Sequence, residues 1–271
     1  MMKKFILLVF AIVLVMPTIA KNQKEYRVKT VEEFIVALGS DRIIILEQGP
    51  AYNITNGFED DYVAKVITQS KLLNVEYAFD GLELQINDVE NLSIRGAGNK
   101  PVRLLIEPRY AYVLNFIGCK NITLENLEMG HTPEGGYCTG GVLNYLNSEN
   151  IMIQNCRLFG CGMEGITLER TTNLRCENTD IYECTYNIFT IVGSSNIYFT
   201  NCRFYENQEF EMINVSNDCE NIVLDQCLIY DNKGTLFNVH APIQMKKCQI
   251  WHPESSLGNL YYVKQQNCLW K

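Results

Sequence analysis

The stretch Gly165-Ile-Thr-Leu168, followed after four intervening residues by Asn173-Leu-Arg-Cys-Glu-Asn178, decides how this chain folds. Its first half alternates apolar and polar side chains, as a half-buried strand requires. Its second half begins and ends on asparagine, a residue suited to bends. The same unit recurs along the chain. The asparagine-led strand starts at Asn91, Asn121, Asn150, Asn173, Asn196 and Asn221, with a weaker copy from Pro242, at intervals of 30, 29, 23, 23, 25 and 21 residues. The strand before it reappears as Val113-Leu-Asn-Phe, Val142-Leu-Asn-Tyr, Ile188-Phe-Thr-Ile, Met212-Ile-Asn-Val, Leu236-Phe-Asn-Val and Leu260-Tyr-Tyr-Val. Intervals this short are too tight for strand–helix–strand units with ordinary loops. They suit one turn of a large coil.

Counting from each leading asparagine exposes columns. Five positions on stand Asn126, Asn155, Asn178, Asn201 and Gln226, and next to them Leu127, Cys156, Thr179, Cys202, Cys227 and Cys248. Two further on come Met129, Leu158, Ile181, Phe204, Ile229 and Ile250, with Phe159, Tyr182, Tyr205, Tyr230 and Trp251 beside them. Like residues meet in this way when rungs stack in parallel register about 4.8 Å apart. Amides stacked at a bend also satisfy polar groups that burial would penalise. The expectation is an all-β fold, a parallel β-helix (solenoid) of about eight rungs.

Open solenoid ends need covering. Thr30 and Glu33 form a capping box, Val31, Phe34, Ile35 and Leu38 line one helical face, and Gly39 ends it. This predicts an N-terminal capping helix, with Ile43–Leu46 starting the first rung. Trp251, Trp270 and the pair Tyr261 and Tyr262 are placed to cover the other end. Residues 50–80 break the pattern and the repeat assigns them no place; a lateral insertion is one reading of them.

Lys3 and Lys4, the apolar run Phe5–Met16 and the small residues around Ala20 read as a secretory signal peptide over residues 1–20. The run is shorter than the ~20 residues a membrane span needs. Residues 21–271 read as a single domain, secreted or periplasmic, without a membrane span after cleavage, and a monomer. The formal charge is −8, falling to −10 without Lys3 and Lys4, and no basic run survives. That argues against nucleic acid or an anionic membrane as a partner. At 47% hydrophobic and 11% aromatic residues the chain has material for a core, which excludes disorder. The eleven cysteines follow the repeat, so they read as small buried residues rather than metal ligands. A disulfide between neighbouring rungs stays open on distance grounds.

The plug helix, the first strand and the Gly-Ile-x-Leu/Asn-led rung, shown best by Gly165–Leu168 with Asn173–Asn178, resemble the right-handed parallel β-helix superfamily, the pectate-lyase-like proteins. The resemblance spans residues 25–268. It implies a right-handed coil and an activity on polysaccharides. Uronate lyases of this kind hold calcium with acidic side chains from adjacent rungs and abstract a proton with Arg or Lys. Hydrolases on the same scaffold use paired carboxylates. The motifs themselves are missing. Ile106-Glu-Pro-Arg109 is the nearest fragment of the lyase Arg-x-Pro-x-x-Arg pattern and does not fit it. Met163-Glu164-Gly165 stands where paired aspartates would fall, with a single carboxylate. No catalytic residue and no cofactor is assigned, and calcium enters only with a lyase reading.

The remaining candidates are local. The stretch Gly130–Gly141 interrupts the columns and reads either as a Gly-rich turn or as a projecting loop offering His131, Glu134 and Tyr137 to a glycan. Glu164 is the fourth candidate glycan contact. With Asn187 and Glu211 it forms a column able to hold calcium through oxygen, although solvated surface acids are the plainer reading. Glu128, Arg157, Asp180 and Arg203 alternate in sign along one column and read as register-fixing pairs. The aromatic column from Phe159 to Trp251 is a sugar-stacking platform if it faces solvent and core if it faces inward, and core is the plainer reading. The functional expectation is an exported protein that binds glycan along the coil or serves as a surface scaffold. The alternative is a divergent polysaccharide lyase or glycoside hydrolase acting on a uronate-rich polymer.

Overall fold

Each repeat closes one turn of a coil. In one rung the chain runs Leu143–Leu146, bends, runs Glu149–Gln154, bends again and runs Arg157–Phe159. The computed structural model describes residues 23–132, 140–160 and 164–271, so the leader expected over residues 1–20 lies outside the described residues. Stacked turns give three sheets. The first, ten-stranded, collects the asparagine-led strands; the second, nine-stranded, the short strands such as Arg157–Phe159; the third, eight-stranded, strands such as Leu143–Leu146. Pairing is parallel and in register throughout the repeats, as at Ile151↔Leu174 and Leu158↔Ile181.

The bends explain the asparagines. Asn121, Asn150, Asn173, Asn196 and Asn221 all have φ between 55° and 60°, and Asn126, Asn155, Asn178 and Asn201 repeat this at the next corner with φ of 50° to 55°. Asparagine tolerates this left-handed conformation better than other side-chain-bearing residues. It also stacks. Each leading amide donates to the Oδ1 one rung earlier: Asn121 to Asn91 at 2.8 Å, Asn150 to Asn121, Asn173 to Asn150 and Asn196 to Asn173 at 3.1 Å, and Asn221 to Asn196 at 2.8 Å. Asn91 closes the ladder on Asp41. Each bond adds about 1 kcal/mol net, and together they fix the vertical register.

Inside the coil, aliphatic columns such as Leu92, Ile122, Ile151, Leu174, Ile197, Ile222 and Ile243 are buried. The cysteine column lies just past the second corner. Cys202, Cys227 and Cys248 donate to carbonyls of the rung before, those of Cys176, Phe199 and Leu224, at 3.3 to 3.5 Å. All the described cysteines are free thiols. Burial pushes Cys119 up to about 11 and Cys156 up to about 12, which makes them poor nucleophiles.

At the N-terminal end, helix α1 (Val31–Ala37) buries Val31, Phe34, Ile35 and Ala37. Thr30 accepts from the Glu33 N–H, and the Glu33 carboxylate reaches back to the N–H of Lys29 rather than of Thr30. Residues 50–80 are not a lateral insertion. Tyr52–Asn53 joins the second sheet, and helices α2 (Ile54–Gly57) and α3 (Asp61–Gln69) pack on α1. Leu73–Tyr77 then pairs antiparallel with Leu82–Asn87 at the edge of the third sheet. Ile54, Val63 and Ile67 join the core, so this segment helps close the N-terminal end.

The aromatic column also departs from expectation. Leu158, Ile181, Phe204, Ile229 and Ile250 point inward and are fully buried. Alternation therefore sends Phe159, Tyr182, Tyr205, Tyr230 and Trp251 outward, onto the outer face of the second sheet. Tyr182 is buried there by its neighbours, whereas Trp251 is 43% exposed.

Candidate functional site

The outer face of the second sheet is self-satisfied. Phe159, Tyr182, Tyr205 and Tyr230 stack along the coil with centroids 5.1 to 5.7 Å apart, and Tyr230 meets Trp251 edge-on at 6.2 Å. Arg103 lies over Phe159 and Lys271 over Trp251, closing both ends of the stack. Beside it, Asp180 accepts from Arg203 at 2.6 Å and lies 4.0 Å from Arg157, which also approaches Glu128 at 3.9 Å. The sign alternation is thus realised as ion pairs. Its rings are engaged with one another and with cations, although Phe159, Tyr205 and Tyr230 stay half-buried and Trp251 exposed.

The third sheet is different. Gln85, Asn115, Asn144, Thr167, Thr190, Asn214 and Asn238 form one in-register polar column on its outer face. Asn144 donates to Asn115 at 2.8 Å and Asn238 to Asn214 at 2.9 Å. His240 Nε2 lies 3.0 Å from Asn238 Oδ1. From Asn144 to Asn238 the column is half-buried, so its polar edges meet solvent.

Alongside runs a second set of groups. Glu83 accepts from the Asn115 amide at 2.7 Å and from the Tyr112 N–H at 2.6 Å. Glu164 accepts from Thr190 at 3.2 Å and from Thr167 at 3.4 Å, while Asn187 donates to Thr190 at 2.9 Å. The Tyr112 phenol lies 3.3 Å from the Thr167 hydroxyl. Its ring crosses Gly141, where a Cβ would fall 2.8 Å from the ring and 2.6 Å from the Glu164 carbonyl. Glycine at that position is what lets the tyrosine reach the cluster.

Burial governs the charges. It raises the Glu164 carboxyl above its ordinary value, opposed by the Thr190 and Thr167 hydroxyls, and raises Glu83 against the donors on Tyr112 and Asn115. Tyr112 is pushed up to about 12, first by burial and then by Glu164. No described strand of the third sheet contains Lys or Arg, although it carries Glu76, Glu83, Glu164, Glu169 and Glu211.

Of the residues singled out in the sequence, Glu164 joins this cluster, and Asn187 and Glu211 stand on the same sheet. Glu164 is not a solvated acid, because only 6% of it is exposed. His131 ends a strand of the second sheet, is buried, and bonds the Ala111 carbonyl through Nε2 at 2.9 Å. Its described hydrogen-bond partner is thus not shared with Glu164. Glu134 and Tyr137 lie outside the described residues. Sequence reasoning passed over Glu83, Tyr112 and the polar column. The column had a signal: it is the polar third position of every strand preceding an asparagine. Glu83 and Tyr112 had none, since Glu83 precedes the recognisable repeats.

Calcium does not fit the Glu164–Asn187–Glu211 column. Both Glu164 oxygens are engaged by hydroxyls, and burial favours its protonated form, whereas a hard cation selects free carboxylates. Among the described residues no three His, Cys, Asp or Glu side chains group to hold a metal, and no helix is long and apolar enough to cross a membrane. An open groove of about 560 Å³ on the first sheet is lined by Arg27, Arg95, Glu125, Asn126 and Asn155. Its cations are already committed, Arg27 to Glu47 and Glu25 and Arg95 to Glu125.

Comparison with known proteins agrees with this architecture. The family described as the right handed beta helix region matches residues 88–265. No curated protein matches the sequence. Among solved structures, the pectate lyase Pel9A superposes with a TM-score of 0.56 at 11% identity, over 86% of this chain and 65% of that one. The chain therefore spans about two thirds of that lyase. An alginate lyase from Paenibacillus sp. superposes with a TM-score of 0.54 at 10% identity, over 91% of this chain and 95% of that one. At such identities the likeness concerns the fold, a right-handed β-helix of the pectate-lyase-like kind.

Proposed function

We propose that this chain, which belongs to the family of right-handed β-helix proteins, is an exported glycan-binding protein that lays a polysaccharide along the outer face of its third sheet. The observation that carries this reading is the column Asn144, Thr167, Thr190, Asn214 and Asn238. It is a flat, half-exposed row of amides and hydroxyls in register. Its spacing of about 4.8 Å per rung is close to the rise of one sugar ring in an extended chain. Each rung thus presents a similar polar group to each sugar, and successive weak hydrogen bonds add by effective concentration. Tyr112 and Glu164 border this row. The proteins of similar fold, a pectate lyase and an alginate lyase by name, lend support through the polymers they act on.

One observation favours a second reading, a divergent hydrolase. Glu164 and Glu211 sit two strand spacings apart on one face. That is about 10 Å between backbones, near the roughly 6.5–9.5 Å between carboxyl groups of inverting glycosidases. Burial keeps Glu164 protonated to higher pH, as a general acid needs, and Glu211 is the more exposed partner. A calcium-dependent lyase is the weaker enzyme reading, because Glu164 is a poor ligand.

The test is product analysis. Residues 21–271 are incubated with neutral and uronate-rich polysaccharides, with calcium and with chelator, and the polymer is examined by mass spectrometry and for retention on the protein. Intact polymer held by the protein is the expected outcome. Products with added water, abolished in Glu164→Gln, would replace it with the hydrolase. Unsaturated products lost on chelation would replace it with a calcium lyase.

A further inference from the structure

We infer that the third-sheet face selects an uncharged polysaccharide and rejects polyuronates, although both proteins of similar fold are named for uronate polymers. This rests on the reading of that face as a glycan site. The argument is electrostatic. A polyuronate carries a carboxylate on every ring and needs cations or a bridging metal wherever it lies against protein. The described strands of the third sheet supply neither Lys nor Arg. The first sheet, by contrast, holds Arg95, Lys120, Arg175, Lys246 and Lys264, and the second Arg103, Arg157 and Arg203. The scarcity of cations therefore belongs to this face and not to the chain.

Of the cations that border the face, Arg170 is spoken for, while Arg109 and Lys233 stand in the connections that lead into it. Arg170, at the end of the strand Glu164–Glu169, donates Nε to Asn147 at 2.8 Å and pairs with Glu169 through its guanidinium. The face meanwhile carries carboxyls. Glu169 is paired with Arg170, but Glu211 is half-exposed, so a bound uronate near it would sit against negative charge. Metal bridging is disfavoured as well, because the oxygens of Glu83 and Glu164 accept hydrogen bonds from amides, hydroxyls and a backbone N–H. What the face does offer is neutral. Asn144, Asn214 and Asn238 each keep part of an amide beyond their inter-rung bonds, and Thr167 and Thr190, whose hydroxyls already donate to Glu164, keep acceptor capacity. These match sugar hydroxyls or acetamido groups, which also donate and accept without charge.

Two kinds of polymer test this on the chain from residue 21 to residue 271, by isothermal titration and affinity electrophoresis. The neutral probes are mixed-linkage β-glucan, galactomannan and xylan; the anionic ones are polygalacturonate and alginate. Each is titrated at low and high salt, with calcium and with chelator. The expected result is binding to at least one neutral polymer that salt leaves unchanged, with polyuronate affinity at least tenfold weaker and recovering as salt screens the repulsion. Glu211→Gln should narrow the gap between the two classes by raising polyuronate affinity. Polyuronate binding equal to or tighter than neutral binding, or dependent on calcium, or weakened by salt, would overturn the inference while leaving the face as a glycan site. Failure of every polymer to bind would remove the site reading itself, and this inference with it.

Discussion

The outer faces of the second and third sheets are built by the same repeat and end in opposite chemical states. On the second, each outward group is matched by a neighbour one rung away: ring on ring from Phe159 to Trp251, and Asp180 between Arg157 and Arg203. On the third, the column from Asn144 to Asn238 bonds along itself only in part and keeps donors and acceptors facing water. A solenoid holds its register by stacking like on like. A face that completes its own bonds stabilises the coil, and a face that leaves some open is available to a ligand. This contrast, more than any single residue, is what supports the proposal that the third sheet is the side that binds.

The largest effect expected from breaking the contrast is on the second sheet. Asp180→Ala leaves Arg157 and Arg203 without their shared partner. It should cost about 2 kcal/mol, below the value for a fully buried pair because both arginines are half-exposed or more. Chemical denaturation would register it, and glycan binding by the folded fraction should not change. On the third sheet the order reverses. Asn144→Ala combined with Asn214→Ala should weaken glycan binding about tenfold, about 1.4 kcal/mol. Each substitution removes one described inter-rung amide bond, and at about 0.5 kcal/mol for each of these part-buried bonds stability should fall by about 1 kcal/mol in total. Equal losses of binding from changes on both faces would break the comparison.

Two smaller effects sharpen it. Tyr205→Leu keeps an apolar side chain but loses the stacking on Tyr182 and Tyr230, and should cost about 1 kcal/mol with no change in binding. The smallest is a pH slope. Burial raises the folded-state values of Glu83 and Glu164 above the ordinary 4.5. Above 4.5 and up to the raised values the folded chain holds more protons than the unfolded one, so stability is greatest below this window and declines as pH rises through it. Glu164→Gln, which cannot ionise, should flatten that decline in denaturation curves recorded across the window. A slope unchanged by the substitution would mean that Glu164 is solvated after all.

The fold was legible because the period of the asparagines is legible: Asn121, Asn150, Asn173, Asn196 and Asn221 mark the corners, and the columns follow from them. The facing of the aromatic column was not. The strand Arg157–Phe159 has three residues, so alternation has only two steps, and a run of apolar residues such as Tyr182, Tyr205 and Tyr230 looks like core whichever way it points. Glu164 looked like one surface acid among many because its burial depends on neighbours from other rungs, Thr190 above it and Tyr112 below. Tyr112 reaches the Thr167 hydroxyl beside it only across Gly141, an approach between residues far apart in sequence and visible in no local pattern. Residues 50–80 misled for a related reason. Their short strand and helices carry no repeat, and only packing against α1 shows that they close the end of the coil.

The most direct test of the account is a crystal structure of residues 21–271 with a neutral oligosaccharide long enough to span several rungs. The account predicts sugar rings seated in succession along Asn144, Thr167, Thr190, Asn214 and Asn238, with hydrogen bonds from those side chains and the ring stack of the second sheet bare. Sugar bound over Tyr182 to Trp251, or in the groove between Arg27 and Arg95, would contradict it.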